Sequence, residues 1–150
     1  MKRQIFALIL ILTVSGCSKI GNYQVYSNKY PVNYSCNTTI SPFNQINSLG
    51  RFVSVRIKGM ELEVTDSDGN TSSHQMSETD MRSFVLGLGG LIIGTPSLNN
   101  DNLSVYAYDL ACPICDKAKH RLTFNYLGIA KCNNCKSSWD LNNNGFIHIS

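Results

Sequence analysis

Four of the chain's six cysteines form two C-x-x-C pairs, Cys112 with Cys115 and Cys132 with Cys135. Sixteen residues separate the pairs, and this spacing is typical of a four-cysteine zinc site. A C-x-x-C segment turns tightly, so that both sulfurs point at one centre. Two such turns, which we call knuckles, would make a closed tetrahedral cage with metal–sulfur distances of about 2.3 Å. Because a closed cage has no open coordination position, the pattern predicts a structural ion.

Thiolates also suit iron, either as an all-cysteine 2Fe–2S cluster or as a rubredoxin-like mononuclear site. Disulfides are a further alternative, because the N-terminal sequence described below predicts a location where thiols can oxidise. A disulfide inside one C-x-x-C is strained and redox-active, so two such bonds would be an odd structural framework. A thioredoxin-like role would place one pair at a helix N-terminus, and no helical pattern follows either pair. We therefore expect zinc before iron, and a metal before disulfides.

The elements that must position the cysteines are mainly predicted to be β-strands. Residues 51–57 alternate between two faces, with Phe52, Ser54 and Arg56 on one and Val53, Val55 and Ile57 on the other. Other predicted strands lie in residues 31–40, in residues 61–76 around a turn at Asp68-Gly69, in the buried segment 89–96 and in residues 103–110. Residues 121–132 predict a hairpin, bent near Gly128, that joins the knuckles. This pattern predicts an all-β fold, a small sandwich or barrel.

One short helix is predicted near residues 78–87. Ser77 would be its N-cap with Asp80 three residues later, and Gly87 or Gly89 would end it.

Two residues behind the second knuckle are expected to support the cage from outside, namely Ser137 and Trp139. Trp139 is the only tryptophan, and we expect it to be a core anchor that shields the sulfurs from water. Cys36 lies apart from the two pairs. We expect it to be a small buried hydrophobic residue on a strand, the alternative being a reactive or partner-linked thiol.

Residues 1–16 predict a secretory signal peptide. Lys2 and Arg3 supply its positive start, and the apolar run at residues 5–12 is too short to span a bilayer as a stable helix. Small residues and then Cys17 follow. This order indicates the signal peptide of a lipoprotein. The alternative is an ordinary signal peptide in which the cysteine occurs by chance.

Val14-Ser15-Gly16-Cys17 resembles a bacterial lipobox, in which cleavage falls before the cysteine and its thiol carries diacylglycerol. Several acyl chains hold a protein at a membrane where one chain would not. Residues 17–30 then predict a tether, and residues 31–150 the folded domain. Ser18, in place of aspartate, favours the outer membrane. The sequence thus predicts a lipid-anchored protein of the cell envelope.

The composition argues against several classes of function. The formal net charge is +3, which includes Lys2 and Arg3, so nothing suggests nucleic acid as a partner. The sequence contains no nucleophile elbow, no phosphate-binding loop and no H-E-x-x-H motif, and we do not expect an enzyme. A binding or assembly role with an unknown protein partner is the expectation, with electron transfer and thiol redox chemistry as alternatives.

Three segments carry a resemblance to Rieske proteins. The segment CNNCKSSWD at residues 132–140 resembles the second Rieske motif, C-P-x-H-G-S-x-F/Y-D/N. Residues 89–113 are similar to the strand that leads to the first Rieske loop and ends in A-Y-D-x-x-C-P. Pro31–Asn33 is similar to the start of small membrane-anchored Rieske-like proteins of the Bacteroidetes type. The resemblance implies a Rieske-like β domain over residues 31–150, with a rubredoxin-like two-knuckle subdomain at about 108–141.

The resemblance does not extend to the ligands of a Rieske cluster. A Rieske site binds one iron of its 2Fe–2S cluster through two histidines. Here Cys135 occupies the second histidine position, and Cys115 lies one residue beyond the first. None of the three histidines, His74, His120 and His148, lies at a ligand position. We therefore expect the Rieske-like fold with a four-cysteine metal site in place of the cluster.

Overall fold

The computed structural model describes residues 30–98 and 104–148. The predicted signal peptide, Cys17 and nearly all of the predicted tether lie outside these residues. The described strands are β1 (Val32–Asn33), β2 (Arg51–Lys58), β3 (Glu61–Asp66), β4 (Thr71–Gln75), β5 (Val85–Leu86), β6 (Leu91–Thr95), β7 (Tyr106–Asp109), β8 (Leu122–Phe124), β9 (Ile129–Cys132), β10 (Ser138–Asp140) and β11 (Phe146–Ile147). The helical elements are α1 (Glu78–Ser83) and two 3₁₀ turns (Phe43–Asn47 and Leu141–Asn143). The all-β prediction is confirmed.

Two larger antiparallel sheets and one small ladder organise these strands. The first sheet has the order β4-β3-β2-β6-β7, and the second has the order β11-β10-β9-β8. The ladder pairs β1 with β5. The hairpins predicted around Asp68-Gly69 and near Gly128 are both present, as β3–β4 and β8–β9. The second sheet carries the C-terminal knuckle at one end of its central strands.

Strand β2 separates two hydrophobic clusters, because both of its faces are covered. Val53 and Val55 face the first cluster, and Phe52, which is fully buried, faces the second. The first cluster contains Phe43, Ile46, Val53, Val55, Leu62, Val64, Met76, Leu86, Leu91 and Ile93. The second contains Phe52, Ile92, Leu110, Cys112, Leu122, Ala130, Cys132, Trp139 and Leu141. The second cluster packs the C-terminal sheet against β2 and β6, and it includes one cysteine from each knuckle.

Helix α1 begins where the sequence predicts. The Ser77 hydroxyl accepts a hydrogen bond from the Asp80 N–H, and the Asp80 carboxylate accepts one from the Ser77 N–H. This reciprocal capping box satisfies backbone donors that a helix start leaves unpaired.

The predicted end of the helix, at Gly87 or Gly89, is wrong. The helix stops at Ser83, and the backbone of Phe84 is already extended. The Phe84 ring packs edge-on against Tyr34 with ring centroids 5.0 Å apart, and the two following residues form β5. A longer helix would forfeit both contacts, so tertiary packing ends it.

The strand predicted at residues 31–40 is also mostly wrong, since only Val32 and Asn33 pair. The Asn37 side-chain oxygen accepts hydrogen bonds from the N–H and the hydroxyl of Thr39. This local turn competes with strand pairing. Cys36 accordingly lies in a loop and not on a strand, half-buried against the first cluster.

Candidate metal centre

The hairpin β8–β9 brings the two knuckles to the same place. The first knuckle follows β7, and the second starts at Cys132, the last residue of β9. Leu122, the first residue of β8, pairs directly with Cys132. The Leu122 N–H also donates to the carbonyl of Leu110, two residues before Cys112. The ladder therefore fixes the start of each knuckle beside the other.

The two knuckles have the same local structure. The Asp116 N–H donates to the Cys112 carbonyl at 2.9 Å, and the Lys136 N–H donates to the Cys132 carbonyl at 3.0 Å. Asp116 and Lys136 have φ angles of 45° and 65°, in a left-handed region that side-chain-bearing residues rarely adopt. Each knuckle thus buries its first cysteine and leaves its second half-exposed. The repeated turn aims both pairs of sulfurs at one centre.

The four cysteine sulfurs form a compact group, as the sequence predicts. The Sγ atoms of Cys112 and Cys135 are 3.5 Å apart, and those of Cys115 and Cys132 are 3.8 Å apart. All four lie within 4.8 Å of one another. A tetrahedron with metal–sulfur bonds of about 2.3 Å has edges of about 3.8 Å. No disulfide joins any of these four cysteines in the structure, and this arrangement could hold a metal ion.

Hydrogen bonds to the sulfurs come from both knuckles. The Cys115 N–H donates to Sγ of Cys112 at 3.4 Å, and the Asn134 side-chain amide donates to Sγ of Cys115 at 3.3 Å. Burial disfavours the thiolate of Cys135, but hydrogen bonds from the backbone and side chain of Ser137 and from the thiols of Cys112 and Cys132 together outweigh it, and the pKa of Cys135 falls to about 6. Donors of this kind offset the negative charge that four thiolates would concentrate.

The pKa of Cys112 is shifted in the opposite direction from that of Cys135. Cys112 is fully buried, and desolvation raises the pKa of its thiol to about 12. A metal ion that binds there must displace a proton that the buried thiol otherwise keeps, so metal affinity will fall as the pH falls.

Trp139 packs on the buried side of the site. Its side chain is 5% exposed and belongs to the same cluster as Cys112 and Cys132. It lies on β10, where it pairs with Ala130 of β9. The indole and its neighbours thus exclude water from one side of the cage, while Cys115 and Cys135 lie toward the other.

Two positioning residues escaped the sequence analysis. The Asp109 carboxylate accepts hydrogen bonds from the N–H groups of Leu88, Gly89 and Ala111, which fixes the segment entering the first knuckle. Asn134 was not singled out either, although an amide between two cysteines can reach a sulfur. His120 contributes its backbone carbonyl, which accepts a hydrogen bond from the Cys112 N–H.

Within residues 30–98 and 104–148, no helix is long and apolar enough to cross a membrane. Among the same residues, the grouping of possible metal ligands consists of the four cysteines, and no histidine joins it. The chain matches no protein-family model, no curated protein and no solved structure. The site is therefore defined by its own geometry, as a four-cysteine group that could bind a metal ion.

Proposed function

We propose that the chain is a cell-envelope lipoprotein whose C-terminal half is built around one structural zinc ion. Cys112, Cys115, Cys132 and Cys135 would hold the ion, and the domain would serve as a binding or assembly module for a protein partner. The separation of the four sulfurs, within 4.8 Å of one another, is the observation that carries the proposal.

The compactness of the group supports a single ion. A 2Fe–2S cluster divides four protein thiolates between two irons, so thiolates on different irons must lie further apart than the edge of one tetrahedron. All four sulfurs lie within 4.8 Å of one another, so no pair of them has the wider separation that ligands of two different irons would need. This favours a mononuclear site over the two-iron alternative.

The small size of the C-terminal sheet supports a structural role for the ion. Strands β8 to β11 contain two to four residues each. Sheets of this size bury little apolar surface, and small folds commonly gain the missing free energy from a metal. Binding of the ion would join the two knuckles and so fix both ends of the β8–β9 hairpin.

Mononuclear iron in the same cage, with electron transfer as the function, is the second candidate. The observation that favours it is the half-exposure of Cys115 and Cys135. An iron bound there would lie close to the surface, where a redox partner could approach. Thiolate ligands suit both metals, so their chemistry alone does not decide between zinc and iron.

The exposed end of the site offers a place for a protein partner. Ile114, at the turn of the first knuckle, is 58% exposed. Exposed lysines lie near it in sequence and on the second knuckle, namely Lys117, Lys119 and Lys136. An exposed apolar residue with lysines in the neighbouring segments would suit an acidic protein surface. The Rieske-like architecture belongs to the same proposal, with cysteines where the cluster histidines would be.

Metal analysis of the purified full chain tests the choice between zinc and iron. We expect one zinc per chain and no visible absorption when the protein is purified without oxygen. Stoichiometric iron with visible thiolate bands would support the second candidate instead. A chain without metal would contradict both candidates. Cys36→Ser is the matched control, because it removes a thiol that lies outside the cage and should leave the metal content unchanged.

The lipid anchor is tested by Cys17→Ser. The expected result is that the wild-type chain sediments with membranes and floats with them in a density gradient, while the variant does not. The reason is that diacylglycerol on the Cys17 thiol would supply the hydrophobic anchor. Equal membrane association of the two proteins would contradict lipidation at this residue.

A further inference from the structure

Two short sulfur–sulfur contacts of the site join cysteines of different knuckles. Cys112 meets Cys135 at 3.5 Å, and Cys115 meets Cys132 at 3.8 Å. A disulfide requires about 2.05 Å between sulfurs, so each pair must close by roughly 1.5–2 Å. This is the scale of a side-chain rotation. Each pair also combines one buried sulfur with one half-exposed sulfur.

Bonds within a knuckle are less favourable. A disulfide inside C-x-x-C is strained. In the first knuckle the Cys115 N–H donates to Sγ of Cys112, and the Cys112 carbonyl accepts from the Asp116 N–H. These bonds hold a turn whose sulfurs both point toward the other knuckle. The strain that argues against disulfides within each C-x-x-C therefore does not apply to bonds between the knuckles.

We propose that the cage is a thiol-oxidation site for hydroperoxides, at which release of the metal is coupled to formation of the Cys112–Cys135 and Cys115–Cys132 disulfides. The metal-release half rests on the proposed function, whereas the pairing of the cysteines does not.

The reaction can begin at the half-exposed sulfurs. The thiolate of Cys135 attacks one peroxide oxygen, so that an S–O bond forms, the O–O bond breaks and hydroxide leaves. The thiolate of Cys112 then attacks the sulfenic sulfur, which forms the S–S bond and expels a second hydroxide. Cys115 and Cys132 react in the same way. Each pair gives two electrons to one peroxide, and the metal dication leaves as its four thiolate ligands are consumed.

The two disulfides would take over the metal's role in the fold. They join residues 23 and 17 positions apart in sequence and tie the second knuckle to the segment that follows β7. The oxidised chain should therefore keep a cooperative melting transition, close to that of the metal-loaded chain. The reduced, metal-free chain has neither constraint and should melt at a lower temperature.

Hydrogen peroxide treatment of the zinc-loaded full chain tests the proposal. Zinc release is followed with a chromogenic chelator, remaining thiols are alkylated, and the chain is digested with trypsin. Trypsin cleaves after Arg82, Lys117, Lys131 and Lys136, so residues 83–117 and 132–136 fall in separate peptides, each with one cysteine pair. We expect one zinc released per two peroxides consumed and a single species in which two disulfides link these peptides. Fragmentation should assign the bonds as Cys112–Cys135 and Cys115–Cys132.

Unlinked peptides with internal disulfides, or with sulfinic or sulfonic acids, would overturn the proposal and leave the proposed metal site intact. A chain that carries no metal but forms both cross-knuckle bonds would instead refute the proposed function and keep the pairing. Cys36→Ser serves as the control for thiol exchange through the remaining described cysteine. Its oxidation should give the same two bonds, and a different pairing in this variant would also overturn the proposal.

Discussion

Replacement of Cys112 by serine is expected to remove the metal from the chain and to unfold its C-terminal sheet. The Cys112 side chain is fully buried and touches both the cage and the cluster around Trp139. A serine hydroxyl does not ionise to replace a thiolate ligand, and the substitution leaves a polar group in an apolar site. Structural zinc sites have binding free energies on the order of 10–16 kcal/mol, and that energy is also folding energy.

The Cys112→Ser measurement combines metal content with amide hydrogen exchange. Both proteins are dialysed against a weak chelator. The wild-type chain should keep one metal ion per chain, and Cys112→Ser should keep almost none. Protection of the amides in β8, β9 and β10 should fall with the metal content, while β2, β3 and β6 stay protected by the first cluster. Cys36→Ser should change neither quantity. Unchanged metal content and an unchanged exchange pattern in Cys112→Ser would show that this sulfur is not a ligand.

Trp139→Ala is expected to give the second-largest effect. The indole is 5% exposed and fills the space between β10 and the neighbouring sheet. Large-to-small substitutions of a buried tryptophan typically cost about 3–5 kcal/mol of unfolding free energy. Such a loss is comparable with the whole stability of many small domains, so the C-terminal sheet should become only marginally stable.

Urea unfolding followed by circular dichroism measures this cost. Trp139→Phe is the matched variant, because it keeps an aromatic ring in the cluster and should lose clearly less free energy than Trp139→Ala. In the wild-type chain, the fluorescence of Trp139 reports the same transition, since no other tryptophan is present. A loss below about 1 kcal/mol for Trp139→Ala would contradict its place in the core.

The sequence predicted those strands and helix starts that are determined by neighbouring residues. The alternation at residues 51–57, the apolar segment around Ile92 and the capping pair Ser77 and Asp80 all correspond to observed structure. The end of α1 is set by the contact of Phe84 with Tyr34, which no local pattern reveals.

The burial of both faces of β2 was equally hidden. Ser54 and Arg56 share the face of Phe52, and their polarity concealed that this face packs against the C-terminal sheet. The charge of Arg56 on this face is neutralised by an ion pair with Glu63 of the neighbouring strand β3.

Part of the candidate site could likewise be predicted from local sequence, and part of it depends on how distant strands pair. The C-x-x-C spacing alone predicted which four sulfurs come together, because each knuckle is a local turn. Which sulfur of one knuckle meets which sulfur of the other depends on the register of β8 against β9, and the spacing carries no information about it. The left-handed backbone of Asp116 and Lys136 was unforeseen, because glycine usually marks such positions.

X-ray absorption at the metal's K edge, on the purified full chain, tests the central claim most directly, because it measures the ligands of the bound ion. The claim is that one ion lies in a cage of four sulfurs. The spectrum should then fit four sulfur scatterers at about 2.3 Å, with no nitrogen or oxygen in the first shell and no second metal nearby. A first shell with nitrogen or oxygen, or a short metal–metal distance, would contradict the single-ion four-cysteine site.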